Sequence, residues 1–205
     1  IPAIKKLRAL FWPRVVCEPY EHGRSYDAVI VANRFIRSRN EPPKLFDKGI
    51  LDEVRKGLPL VVLAEGDAAA EAIGKELSDA GAFEYQGILG ESRASWMGSW
   101  YFVRAHPLYD GLPVNCAMAS YYQTPVTGGA GLIVDGKYVE VAAGYARDHS
   151  REIGAGSLTT KLGAGKIVIH TIPGMVSQLA GESSVGIHPV IFRRLLSNSL
   201  IYAWQ

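Results

Sequence analysis

Cysteine is scarce in this chain: Cys17 and Cys116 are the only two among 205 residues. That scarcity excludes a disulfide-built scaffold, and their spacing matches no zinc or redox pattern. It leaves open two buried free thiols or a single Cys17–Cys116 bridge. Charge is equally thin and balanced, with 22 Lys and Arg against 20 Asp and Glu and a net charge of +2. A balance of that kind gives no electrostatic footprint for nucleic acid or an anionic membrane. No apolar run approaches the roughly 20 residues needed to span a bilayer. Phosphate loops are missing as well. Gly163-Ala164-Gly165-Lys166 lacks the glycine spacing, the Ser or Thr after the lysine and the helix that such a loop requires, and Gly128-Gly129-Ala130-Gly131 precedes a strand. No pair of histidines stands at metal-ligand spacing on one element. We therefore expect no cofactor, no metal and neither nucleic acid nor membrane as partner.

What is present is an alternation of strand and helix patterns, which predicts an α/β fold on a mostly parallel, doubly wound sheet. Residues Ile1 to Leu10 read as a short amphipathic helix in place of the charged-then-apolar pattern of a signal peptide. Arg14 to Cys17 reads as a short strand, Tyr26 to Asn33 as a strong one, and Lys44 to Lys56 as a helix closed by Gly57. The apolar run from Leu58 to Glu65 then reads as a buried strand, with a tight turn at Gly66 and Asp67 capping a helix from Ala68 to about Ala80. A strand or loop passes through Phe83-Glu84-Tyr85, and an aromatic segment from Trp96 to Val103 has extended spacing.

From Leu132 the period changes. Leu132 to Val141 carries Asp135-Gly136 at its centre, a strong hairpin signal. Ser157 to Leu162 and Lys166 to Ile172 follow as two strands joined by Gly163-Ala164-Gly165, so an antiparallel extension at the edge of the sheet is expected. The last element is a helix from Pro189 to Trp204, in which Val190, Ile191, Leu195, Leu196, Leu200 and Ile201 repeat at helical spacing and are expected on the sheet. Arg193 and Arg194 read as its solvated face. At 205 residues a single domain is the default. Because the chain begins at Ile1 and opens on a helix where a parallel fold opens on a strand, it is expected to be a fragment of a longer polypeptide.

The strand from Tyr26 to Asn33, the strand-turn-helix at Leu58 to Ala80, the octet His106-Pro107-Leu108-Tyr109-Asp110-Gly111-Leu112-Pro113 and the late strands before a terminal helix resemble the class I glutamine amidotransferase-like fold, flavodoxin-like in its sheet. The likeness is nearest to the non-catalytic versions appended to glycoside hydrolases, including carboxyl-terminal domains of family 2 enzymes and the trimerisation domain of β-galactosidases, with ThuA-like proteins as a cousin. In that family a Pro-x-x-x-x-Cys-x-Gly elbow carries the nucleophile. Here the pattern falls on Pro59 to Gly66 and puts Ala64 at the cysteine, lifted above the sheet edge. The later His-Pro-Glu falls on His170-Thr171-Ile172, which keeps a histidine and loses the carboxylate. A methyl group cannot attack a carbonyl, so the resemblance implies a scaffold without its catalyst, and no catalytic residue is expected.

Other polar residues carry less. His106 before Pro107, and the run Arg147-Asp148-His149-Ser150-Arg151-Glu152, read as structural turn and solvated loop. His170 reads as a hydrogen-bonded core histidine. Glu65, beside the elbow, is the candidate for a residual polar site, because ligands bind at the carboxyl edge of such sheets. The rings of Tyr20, Tyr85, Trp96, Trp100, Tyr101, Tyr121, Tyr122 and Trp204 are many for a domain without an evident active site, and such rings are enriched at interfaces. The segment Trp96 to Tyr101 and the pair Tyr121-Tyr122 are expected at an interface with a catalytic domain of the same polypeptide or a neighbouring subunit, with carbohydrate as a further partner. The function this implies is a non-catalytic accessory domain of a glycoside hydrolase, serving interdomain packing or oligomerisation. The alternatives are a free-standing ThuA-like or amidotransferase-like protein with a sugar-related small-molecule role, and an enzyme with a different site around Glu65 and His170.

Overall fold

The computed structural model describes residues 2–11, 16–34, 45–90, 98–123, 129–182 and 185–205. Strand β2 (Leu60–Glu65) lies at the heart of the parallel region, and its first five residues are buried. Leu60, Val62 and Ala64 pack into one core with Ala69, Ala70, Ile73 and Leu77 of helix α3 (Asp67–Asp79), joined by Ile50 and Val54 of helix α2 (Lys48–Arg55). The alternate residues, Val61 and Leu63, enter a second core with Met175 and Leu179 of helix α4 (Met175–Ala180) and Phe192, Leu195 and Leu196 of helix α5 (Pro189–Trp204). A strand buried on both faces has no polar side to present, which is why its sequence is a continuous apolar run. The opening helix α1 (Pro2–Phe11) packs against α4.

Strand β1 (Val29–Arg34) pairs parallel with β2, and β2 pairs parallel with β9 (Gly165–His170), with Leu63 opposite His170. Beyond β9 every pairing is antiparallel: β8 (Gly154–Leu162), then β7 (Glu140–Arg147), β4 (Ser99–Val103) and the two-residue edge β5 (Cys116–Ala117). A branch of β3 (Glu84–Leu89) with β6 (Gly131–Asp135) joins at Leu132 opposite Ala155 of β8. The α/β class, with helices on both faces of a mixed sheet, is the one the sequence predicts. The antiparallel part reaches further than an edge strip. Connections as short as Gly163-Ala164 between β8 and β9 cannot hold a crossover helix, so the strands they join must run antiparallel.

Several expectations are corrected. The hairpin over Leu132 to Val141 does not form: β6 and β7 flank the turn at Asp135-Gly136, yet β6 bonds to β3 and β8 while β7 bonds to β4 and β8. The turn itself exists, closed by the Val139 N–H donating to the Gly136 carbonyl at 3.1 Å. Of the expected strand Arg14 to Cys17, the first two residues lie outside the described residues, and Val16 and Cys17 are irregular. Lys44 likewise lies outside them, and helix α2 begins at Lys48. On α5 the inward stripe is Phe192, Leu195, Leu196, Asn198, Ser199 and Ala203. Val190 and Ile201 point to solvent, 78% and 55% exposed, while Ile191 and Leu200 are partly buried against the core. Both cysteines are free thiols.

Candidate functional site

The break from β2 into α3 comes one residue later than the elbow pattern places it. Ala64 is 1% exposed, with its methyl in the core beneath α3. It is not lifted above the sheet. Glu65 ends the strand, and Gly66 takes the turn with φ of 97°, a conformation that excludes most side chains. Gly66 occupies the cap position and Asp67 is the first helical residue. The alternation of the strand explains the shift in role: Glu65 has the parity of Leu63 and Val61, so it emerges on the α4 side.

There Glu65 has defined partners. Its Oε2 accepts from the Ser177 N–H at 3.0 Å and its Oε1 from the Ser177 hydroxyl at 2.8 Å, which satisfies an N–H in the first turn of α4. Arg34, at the carboxyl end of β1, approaches Glu65 with Nε 3.6 Å from Oε1 and donates from Nη1 to Glu182 Oε2 at 2.7 Å. The cluster therefore gathers Arg34, Glu65, Ser177 and Glu182 at the carboxyl edge of two parallel strands. Arg34 is 43% exposed and Glu182 more so, while Glu65 is largely covered. Removing a carboxylate that holds a helix's first-turn N–H and hydroxyl costs about 1–2 kcal/mol. Glu65→Ala is accordingly expected to lower stability by that amount in urea denaturation, and Glu65→Gln by less.

His170 does not join this cluster. It is fully buried, and both ring nitrogens are bonded. The Ser199 hydroxyl spends its proton on the Leu195 carbonyl at 2.7 Å, so at 2.8 Å it accepts from His170 Nε2–H. Nδ1 then accepts from the Ser157 hydroxyl at 2.8 Å, and Ser157 in turn accepts from the Tyr109 hydroxyl at 2.8 Å. Burial, with a smaller contribution from His106, pushes the imidazole down to about 3. It is neutral, enclosed and committed to the join between β8, β9, α5 and the 3-10 turn at Pro107–Tyr109. Ile172, in the place of the carboxylate, is buried in the same core. A shared Glu65–His170 reaction centre is thus not what the fold builds.

The octet is structural in its geometry. His106 Nδ1 accepts from the Leu108 N–H at 3.2 Å as the cap of the 3-10 turn, and its Nε2 lies 3.4 Å from Glu140 Oε2. Burial outweighs Glu140 and pushes the His106 imidazole below its usual value. Asn198 Nδ2 donates to the carbonyls of Leu108 and Asp110 at 3.0 and 2.9 Å, and Arg194 Nε donates to the Asp110 carbonyl at 3.0 Å. Arg194, read as solvated, thus helps dock the octet on α5. In the polar run, Arg147 donates to the Gly90 carbonyl at 3.1 Å and Asp148 accepts from the Gly98 N–H at 2.8 Å.

Of the aromatic residues expected at an interface, Tyr101 and Tyr122 are fully enclosed and unavailable to a partner. The Tyr101 hydroxyl accepts from the Ala130 N–H and donates to the Thr171 carbonyl, each at 2.9 Å. Trp100, Tyr121 and Trp204 are exposed, and Trp96 lies outside the described residues. Among the described residues no three His, Cys, Asp or Glu side chains gather as metal ligands. No helix among them is long and apolar enough to cross a membrane.

No protein-family model matches the chain, and no curated protein matches it. Among solved structures it is similar to a ThuA-like protein from Parabacteroides merdae, with a TM-score of 0.54 and 13% identity over 99% of this chain and 83% of that one. A cytoplasmic protein from Salmonella typhimurium matches at a TM-score of 0.45 and 12% identity, over 76% of this chain and 59% of that one. The first likeness shows an α/β fold shared with that ThuA-like protein.

Proposed function

We propose that this chain is a ThuA-like domain that binds a sugar-related small molecule at the carboxyl edge of β1 and β2 and does not hydrolyse amides through an elbow cysteine. Ala64 carries the second half: the position that matches the family's nucleophile holds a buried methyl group, and the residue after it is already bonded to α4. The first half is supported by the fold likeness over nearly the whole chain and by the exposed Arg34–Glu182 pair, whose planar donors and acceptors suit vicinal hydroxyls. Ligands of open α/β sheets bind at this edge.

The test is amide shift mapping with a panel of neutral, amino and uronic sugars at millimolar concentration, beside an assay for ammonia release from glutamine. The expected result is perturbation centred on Arg34, Glu65, Ser177 and Glu182 that disappears in Arg34→Ala, with no ammonia. Perturbations confined to other strands, or none with any sugar, overturn the binding half; glutamine hydrolysis overturns the other.

A second reading, an accessory domain of a glycoside hydrolase, is favoured by the exposed rings of Trp100, Phe102, Tyr121 and Trp204, which suit packing against another domain or subunit. The mass of the native polypeptide separates the two. A chain several times larger, with a barrel-like enzyme ahead of these residues, supports the accessory reading.

A further inference from the structure

Where β6 leaves β8 it opens a groove against the outer face of β4, β7 and β8, with a volume of about 410 Å³. That volume falls within the range of small-molecule pockets. Its walls are apolar, with Phe102, Leu132, Val141, Ile153 and Gly154 among the residues that line it. Phe102 and Ile153 are 46% and 70% exposed, so apolar surface at the rim stands open to water. Arg104, itself exposed, is the single charged residue of the lining. The alternation along β4 explains the placement. Tyr101 and Val103 turn into the core, while Phe102 and, just past the strand end, Arg104 share the opposite face. Among the described residues the Arg104 side chain makes no hydrogen bond or ion pair.

We propose that this groove is a ligand site for an amphipathic carboxylate, with its apolar body between Phe102, Val141 and Ile153 and its head on the Arg104 guanidinium. Apolar walls remove chain surface from water. An unpaired guanidinium at the rim selects a planar anion that accepts two parallel hydrogen bonds. A carboxylate gains a charge-assisted bond there that a neutral head does not, and a cationic ligand would be repelled. The site is separate from the carboxyl edge of β1 and β2, so it stands whether or not a sugar binds there.

Decanoate is the probe and decanol its neutral control, titrated by calorimetry and by amide shifts below the micellar range. Decanoate is expected to saturate, to shift the amides of Phe102, Ile133, Val141 and Ile153, and to bind about tenfold or more tightly than decanol. Arg104→Ala is expected to erase that preference. Ile153→Asp, at a position exposed enough to leave folding intact, is expected to weaken decanoate by placing a second carboxylate at the rim. Equal affinity for decanol, shifts confined to other faces, or no saturation overturns the proposal. So does self-association or capture of another domain that covers these same amides and persists with decanoate in excess.

Discussion

Gly154→Ala is expected to destabilise the chain by about 3 kcal/mol or more, enough to leave much of it unfolded at ambient temperature. A β-carbon on Gly154 would lie 2.6 Å from the carbonyl carbon and oxygen of Gly131 and 2.7 Å from its Cα. The reverse holds at Gly131, whose β-carbon would meet Gly154 Cα at 2.8 Å. These obstacles are backbone atoms, so no rotamer change relieves them, and relief requires β6 to move off β8. Among the described residues that crossing is the one strand pairing between the β3–β6 branch and the main sheet, so its loss breaks the hydrogen-bonded join of the branch. The control is Gly144→Ala, whose β-carbon would meet the Ile153 Cγ2 at 3.2 Å. Ile153 is exposed and can turn away, and a change of less than about 1 kcal/mol is expected. Urea midpoints of the two variants decide the matter, and equal midpoints would show that β6 moves freely on β8.

The same crossing shows where local sequence signals stop. Asp135-Gly136 forms a turn, as its chemistry requires, but which strands pair afterwards is decided by the close approach of Gly131 and Gly154, two glycines far apart in the chain. Neither belongs to a pattern that reads as a contact. The apolar strand β2 was legible because burial on both faces leaves a long hydrophobic run, yet such a run hides its own parity. The side from which Glu65 emerges, and the burial of Ala64, depend on a phase that uniform hydrophobicity does not encode. On α5 the helix bounds were legible, and its stripe was displaced by Asn198 and Ser199, polar residues that turn inward because Leu108, Asp110 and His170 supply their partners. The candidate site was visible only as Glu65. Arg34 comes from β1, and Ser177 and Glu182 from α4 and the turn that ends it, so only the packing of α4 on the sheet brings them together.

His170→Gln is expected to reverse the order of stability between variant and wild type as pH falls. The folded imidazole titrates at about 3 because it is wholly enclosed, with His106 adding a small repulsion, whereas in the unfolded chain it titrates near the ordinary value of about 6.5. Above 6.5 both states are neutral and the group adds no pH dependence. Between 6.5 and about 3 the unfolded chain binds the proton and the folded chain does not, so wild-type stability falls with pH by about 1.4 kcal/mol per unit. By pH 4 the loss from this residue alone is on the order of 3 kcal/mol. Near pH 7 the glutamine variant is the less stable protein, by about 1–3 kcal/mol, because the bonds from Ser157 and to Ser199 no longer fit. It cannot titrate, however, and carboxylates and His106 titrate in both proteins, so the difference between their urea midpoints isolates His170. That difference is expected to shrink through pH 6 and 5 and to change sign by about pH 4. Curves that stay parallel from pH 7 to 4 would mean that His170 takes up its proton inside the folded chain, and the closed path from Tyr109 through Ser157 and His170 to Ser199 would then have to open to water.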